Sequence, residues 1–105
     1  MMAGVVRLGD LSSGTAEDPT NPWPKTALTV PNNSTVYANG LLVATKGGSF
    51  ATHSKGRVTH FVNIQRVITG GSDTVFVEGK SIARAGDKLA DNDECDQCSS
   101  DVIAG

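Results

Sequence analysis

Hydrophobic and polar residues alternate over short stretches of this chain, and glycines break the alternation. Thr74-Val75-Phe76-Val77 and Ser81-Ile82-Ala83-Arg84 have period two, which predicts strands with one buried and one exposed face. Glu78-Gly79 links them. Asn39-Gly40 sits in the same way between Thr35-Val36-Tyr37-Ala38 and Leu41-Leu42-Val43-Ala44. A two-residue link ending in Gly between β-branched and aromatic runs is a hairpin signal, and Asn-Gly suits a type I′ turn because both central residues need positive φ.

These two hairpins are copies. Asn32 to Gly48 overlays Gly71 to Asp87 at an offset of 39 without a gap. The N-terminus adds half a copy, since Val5-Val6-Arg7-Leu8-Gly9-Asp10 aligns with Ile82-Ala83-Arg84-Ala85-Gly86-Asp87 and with Val43-Ala44-Thr45-Lys46-Gly47-Gly48. A lone hairpin is marginal in water, whereas three around a common axis share one core. The expectation is therefore a mostly β, pseudo-threefold arrangement of short hairpins with irregular loops, one domain over residues 1–105. The final Asp101-Val102-Ile103-Ala104-Gly105 echoes Arg66-Val67-Ile68-Thr69-Gly70, which predicts that the chain ends lie side by side and close the threefold.

The segments from Leu11 to Ala27, Ser49 to Gln65 and Lys88 to Asp101 differ in length and composition and read as loops, not repeats. Pro19, Pro22 and Pro24 around Trp23 exclude a regular helix or central strand there. Trp23 reads as cover for the core edge, with an interface anchor as the other reading.

At 105 residues, with 12 glycines and 5% aromatic residues, the chain has a small core. A domain this size buries only about 60 to 68% of its unfolded surface, so extra fastening is expected. Its net charge of −2, with nine scattered Lys and Arg, argues against nucleic acid. No basic segment leads into an apolar stretch at the start, so synthesis in a cytoplasm is expected.

The chain has two histidines and two cysteines: His53, His60, Cys95 and Cys98, all in the segments after the second and third strand-turn units. A threefold axis would bring those segments together at one end and create a Cys₂His₂ set. Zn²⁺ takes four such ligands tetrahedrally, and a Cys-x₂-Cys half-site with four protein ligands makes a closed, structural site. A disulfide or redox pair, with ordinary surface histidines, is the other reading of the same residues. The acidic Asp93-Glu94-Cys95-Asp96 context would raise the thiol pKa and disfavours the redox reading. Gly9-Asp10 and Gly86-Asp87 read as turn chemistry and not as paired catalytic carboxylates, Gly47-Gly48 and Gly70-Gly71 lack a phosphate-binding context, and no nucleophile motif is present. The chain is not expected to be an enzyme.

Asp73 to Asp87, with Ser81-Ile82-Ala83-Arg84 standing where Pro-Ala-Ala-Arg would, resembles the PAAR-repeat family. Val6-Arg7-Leu8-Gly9-Asp10 shares the likeness, and the residues after Asp10 match it least. The resemblance implies a β-rich cone seated on the blunt end of a trimeric β-helical spike, in a contractile phage tail or a type VI secretion system. The tip would be a monomer on a trimeric partner, would meet the target cell envelope transiently, and would be found in the virion or on a secretion spike. It also implies a metal-pinned apex, usually held by three His and one Cys. The set carried over here is His53, His60, Cys95 and Cys98, with zinc expected and iron possible. Val36, Val43, Val75, Val77 and Ile82 are candidate base contacts, with core packing as their competing duty. A cytoplasmic zinc-binding interaction module is the alternative function, and a small thiol enzyme a third.

Overall fold

A computed structural model of the chain describes residues 3–105. Ten short strands are assigned among them, β1 (Ala3–Gly4), β2 (Leu28–Val30), β3 (Tyr37–Ala38), β4 (Leu41–Leu42), β5 (Ser49–Phe50), β6 (His53–Lys55), β7 (Val58–His60), β8 (Phe76–Val77), β9 (Lys80–Ser81) and β10 (Ile103–Ala104), with no helix. They form antiparallel pairs in an elongated body of 37 × 25 × 23 Å.

The turns form as the sequence predicts. Asn39 and Gly40 have φ of 54° and 78°, and Glu78 and Gly79 have 53° and 77°. Both links are of the type I′ class, and they close the β3–β4 and β8–β9 hairpins.

The three copies are joined by cyclic backbone hydrogen bonds. Val6 N donates to Ala83 O (3.1 Å), Ala83 N to Ala44 O (2.9 Å), and Ala44 N to Val6 O (2.8 Å). A second cycle runs from Leu8 N to Leu42 O, Lys46 N to Ser81 O, and Ala85 N to Gly4 O, at 2.8 to 2.9 Å. No strand in these cycles is left with an open edge. Val6, Ala44 and Ala83 are wholly buried where the copies meet.

Each copy then turns at the same glycine. Gly9, Gly47 and Gly86 have φ of 92°, 96° and 91°, and the next residue in each copy donates back to the carbonyl three positions earlier. Only Gly takes that φ without strain. In two copies an Arg locks the turn: the Arg7 guanidinium donates to Asp10, the Arg84 guanidinium donates to Asp87, and each carboxylate also accepts the backbone N–H of its Arg. The Gly-Asp pairs are thus turn chemistry.

The third hairpin is shared by the two chain ends, since β1 pairs with β10. The adjacency expected from sequence is present, but the equivalence is a different one. Val5 N donates to Val102 O as Val43 N does to Val36 O and Ile82 N to Val75 O, so the C-terminal segment stands for the Val36 and Val75 strands and not for Arg66–Gly70. One buried side chain caps each of these strands: the oxygens of Asn33, Ser72 and Ser99 accept the two N–H groups that open it.

The segments read as loops keep more of the repeat than expected. Ser12 N donates to Thr26 O, Phe50 N to Arg66 O, and Leu89 N to Asp93 O. Gly9 N donates to Leu28 O, Gly47 N to Ile68 O, and Gly86 N to Cys95 O. Leu28, Ile68 and Cys95 are therefore equivalent positions, and they pack with Phe50 and Leu89 in one core cluster. Val5, Ala38, Val43, Val77, Ile82 and Ala104 form a second cluster at the hairpin end.

Replacing Gly9 or Gly86 with Ala meets no atom within 4 Å, so the backbone conformation alone sets the cost. Each substitution is expected to lower stability by about 1 to 2 kcal/mol, measured as a shift in the urea midpoint at unchanged slope.

Candidate metal centre

Beyond the first core cluster lies a layer set by Thr26, Arg66 and Asp93. Arg66 is fully buried with its guanidinium about 5.7 Å from the Phe50 ring, and it donates to Asp93 Oδ2 (2.9 Å), Asp91 Oδ2 (3.0 Å), Ser12 Oγ (2.8 Å) and Thr26 Oγ1 (2.9 Å). Asp93 is also buried and accepts Gly14 N through its other oxygen. A buried cation is tolerated only when paired and hydrogen-bonded throughout, and Arg66 is.

Outside this layer stands the β6–β7 hairpin. A two-residue link, Gly56-Arg57 with φ of 63° at Gly56, places His53 directly across from His60. This register explains the histidine spacing, which is wider than that of a classical zinc finger: the two rings are cross-strand partners on one face. The Pro-rich segment wraps over that face. It is fixed to β6 by Lys55, which donates to Asp18 Oδ2 and to the Asn21 carbonyl. It brings Glu17 against the histidines and lays Trp23 over them, stacked on His60 at 4.1 Å between ring centres and tilted on His53 at 4.6 Å. Trp23 is half-buried and covers this site instead of a core edge.

Four side chains converge here: Glu17, His53, His60 and Asp91, each with one ligand atom within 4.8 Å of the others. His53 Nε2 lies 2.9 Å from Glu17 Oε1, 3.3 Å from Asp91 Oδ2 and 3.1 Å from His60 Nδ1. His60 Nδ1 lies 3.1 Å from Glu17 Oε2 and from Asp91 Oδ2. Ligands about 2.0 Å from a tetrahedral ion are about 3.3 Å apart, so these spacings are close to those of a four-coordinate site.

The hydrogen bonding points the same way. His53 Nδ1 faces the Pro24 carbonyl at 3.0 Å, which can only accept, so the proton belongs on Nδ1 and Nε2 presents a lone pair to the cluster. Glu17 Oε1 faces it and has no hydrogen-bond donor, on a side chain only 5% exposed. Burial and the nearby Asp91 push the Glu17 carboxyl up to about 8, and burial pushes the His53 imidazole down. Lone pairs aimed at one another in a dry site need a proton or a metal ion between them, and bound metal would take the place of the Glu17 proton. The arrangement can hold a metal ion with four protein ligands, a closed site whose role is structural.

His53 and His60 are thus brought together as expected, and the cysteines are not brought to them. Cys95 occupies the core position shared with Leu28 and Ile68, where burial, reinforced by Asp87, pushes its thiol pKa up. Cys98 Sγ packs against Gly4, 2.4 Å from where a Cβ on that residue would lie. Both thiols are free, so the disulfide reading is not realised either. In their place stand Glu17 and Asp91, which the sequence reading missed. Asp91 had a signal: carried past Gly86-Asp87, the offset of 39 sets it level with Thr52, beside His53. Glu17 lies in the segment least like the repeats, and nothing in the sequence pairs it with the histidines.

A family model described as the PAAR motif matches residues 20–104 of the 105-residue chain. No curated protein matches it.

Metal analysis by inductively coupled plasma mass spectrometry separates the two ligand sets. Glu17→Gln and Asp91→Asn are expected to lose most of about one ion per chain, while Cys98→Ser keeps it. Loss in Cys98→Ser with retention in Glu17→Gln would restore the thiolate set.

Proposed function

The chain belongs to the PAAR-motif family, and on that premise we propose that it caps a trimeric β-helical spike of a contractile injection device, in a phage tail or a type VI secretion system, and helps it enter a target envelope. The observation that carries this reading is a threefold apolar surface at the hairpin end. Val36, Val75 and Val102 are equivalent by backbone pairing and are 39, 36 and 38% exposed, and their neighbours Tyr37, Phe76 and Ile103 are 60, 58 and 51% exposed. A single chain that offers the same apolar pair three times is matched to the end of a C3 trimer, where one copy meets three identical surfaces.

Of the base contacts expected from sequence, Val36 and Val75 belong to this surface, whereas Val43, Val77 and Ile82 are buried in the second core cluster. The chain would sit as a monomer on its trimeric partner. It would be made in a bacterial cytoplasm and act at the tip of a virion tail or secretion spike.

The proposed metal is zinc, with iron the second ion this nitrogen and oxygen set accepts. Glu17, His53, His60 and Asp91 would hold it, tying the Pro-rich segment, the β6–β7 hairpin and the third copy together at one point. Metal binding of this kind is coupled to folding and stiffens a tip that has little aromatic core. The role is mechanical and asks no catalysis of any residue.

The test is complex formation with trimeric β-helical spike proteins of contractile injection devices. Native mass spectrometry is expected to show one copy per trimer. Tyr37→Asp and Phe76→Asp are each expected to weaken the complex on the order of tenfold or more, with the thermal transition of the free chain unchanged. Failure of the parent chain to bind any such trimer would overturn the reading.

A further inference from the structure

The charges buried around the candidate metal centre do not cancel. Glu17, Asp91 and Asp93 contribute three carboxylates with side-chain exposures of 5, 1 and 0%, and Arg66, at 0%, contributes one positive charge. In the metal-binding state, with both histidines neutral and all three carboxylates ionised, the group carries a net −2. Lys55 and Asp18, which fix the Pro-rich segment to β6, pair with each other and add nothing to the balance.

Arg66 contacts the ligands and not only the structural carboxylate. Its Nη1 is 2.9 Å from Asp93 Oδ2, 3.0 Å from Asp91 Oδ2 and 3.6 Å from Glu17 Oε1, and that same Asp91 oxygen lies 3.1 Å from His60 Nδ1. In a dry environment each uncompensated charge weighs heavily, so the sum over the group decides which ion is held.

We propose that Arg66 sets the charge of the ion this centre accepts: by offsetting one of three buried carboxylates it leaves a −2 cavity that a divalent cation neutralises, and it discriminates against trivalent ions. This rests on the reading that the centre holds a metal. Arg66 acts through Asp91 and Asp93 and does not itself ligate.

The test compares affinities for Zn²⁺, by chelator competition, and for Tb³⁺, by emission sensitised through Trp23, in four proteins. The parent and the double variant Arg66→Gln/Asp93→Asn keep a net −2, Asp93→Asn has −1, and Arg66→Gln has −3. Asp93→Asn alone is expected to weaken Zn²⁺ on the order of tenfold, and adding Arg66→Gln is expected to restore it to within about threefold. Arg66→Gln alone is expected to raise the Tb³⁺ to Zn²⁺ affinity ratio on the order of tenfold. If that single variant does not fold, the other three carry the test. A merely structural role predicts that the double variant binds no better than Asp93→Asn, and that result overturns the proposal. A parent that binds no Zn²⁺ sinks the metal reading itself, whereas a parent that binds it with affinities indifferent to the charge changes sinks only the role of Arg66.

Discussion

Everything in this molecule depends on three backbones meeting at one line. Val6, Ala44 and Ala83 each donate to and accept from a neighbour in a closed cycle, at 2.8 to 3.1 Å, with no exposed surface. Backbones this close tolerate only small side chains between them, and closure satisfies polar groups that would otherwise be orphaned in the interior. Once the cycle exists, the glycine turns fall at one level, and each copy sends its hairpin one way and its trailing segment the other. The β1–β10 pair completes the third hairpin from the two ends of the chain, so that hairpin, unlike the other two, forms only when the last residues have joined the first.

Symmetry holds where it is useful and breaks where it would be costly. At the hairpin end the three copies present nearly the same apolar side chains to the same degree. Beyond the turns the backbone still repeats, but the equivalent positions Thr26, Arg66 and Asp93 are neutral, cationic and anionic. Three arginines or three aspartates on one axis would repel one another in a medium that screens poorly, whereas one of each pairs off and leaves the threonine hydroxyl to accept a second guanidinium bond. Divergent trailing segments make this possible, and they also deliver Glu17 and Trp23 to one side.

Periodicity and turn chemistry made the hairpins legible in the sequence, because Asn39-Gly40, Glu78-Gly79 and the glycine turns encode local backbone geometry. The adjacency of the chain ends was legible too, though through the wrong strand, since short apolar runs such as Val102-Ile103 and Val67-Ile68 look alike and only the pairing pattern separates them. Half of the candidate site was legible. The histidines stand out by rarity, but carboxylates are common, and what distinguishes Glu17 and Asp91 from the other acidic residues is their placement against the histidines, which only the fold supplies.

The cysteines mislead for a reason that follows from the same backbone cycle. Cys95 N donates to Asp87 O as Leu28 N does to Asp10 O and Ile68 N to Gly48 O, so the fold assigns position 95 to the core before the chemistry of its side chain matters. A thiol there behaves as a small hydrophobe, burial reinforced by Asp87 raises its pKa, and its place in the core keeps it away from the histidines. The histidines lie outside that layer, on a hairpin that only the second copy carries, where carboxylates from the first and third copies can reach them. The candidate ligand set draws on all three copies, whereas the exposed apolar pairs of the hairpins keep the repeat, and no residue belongs to both.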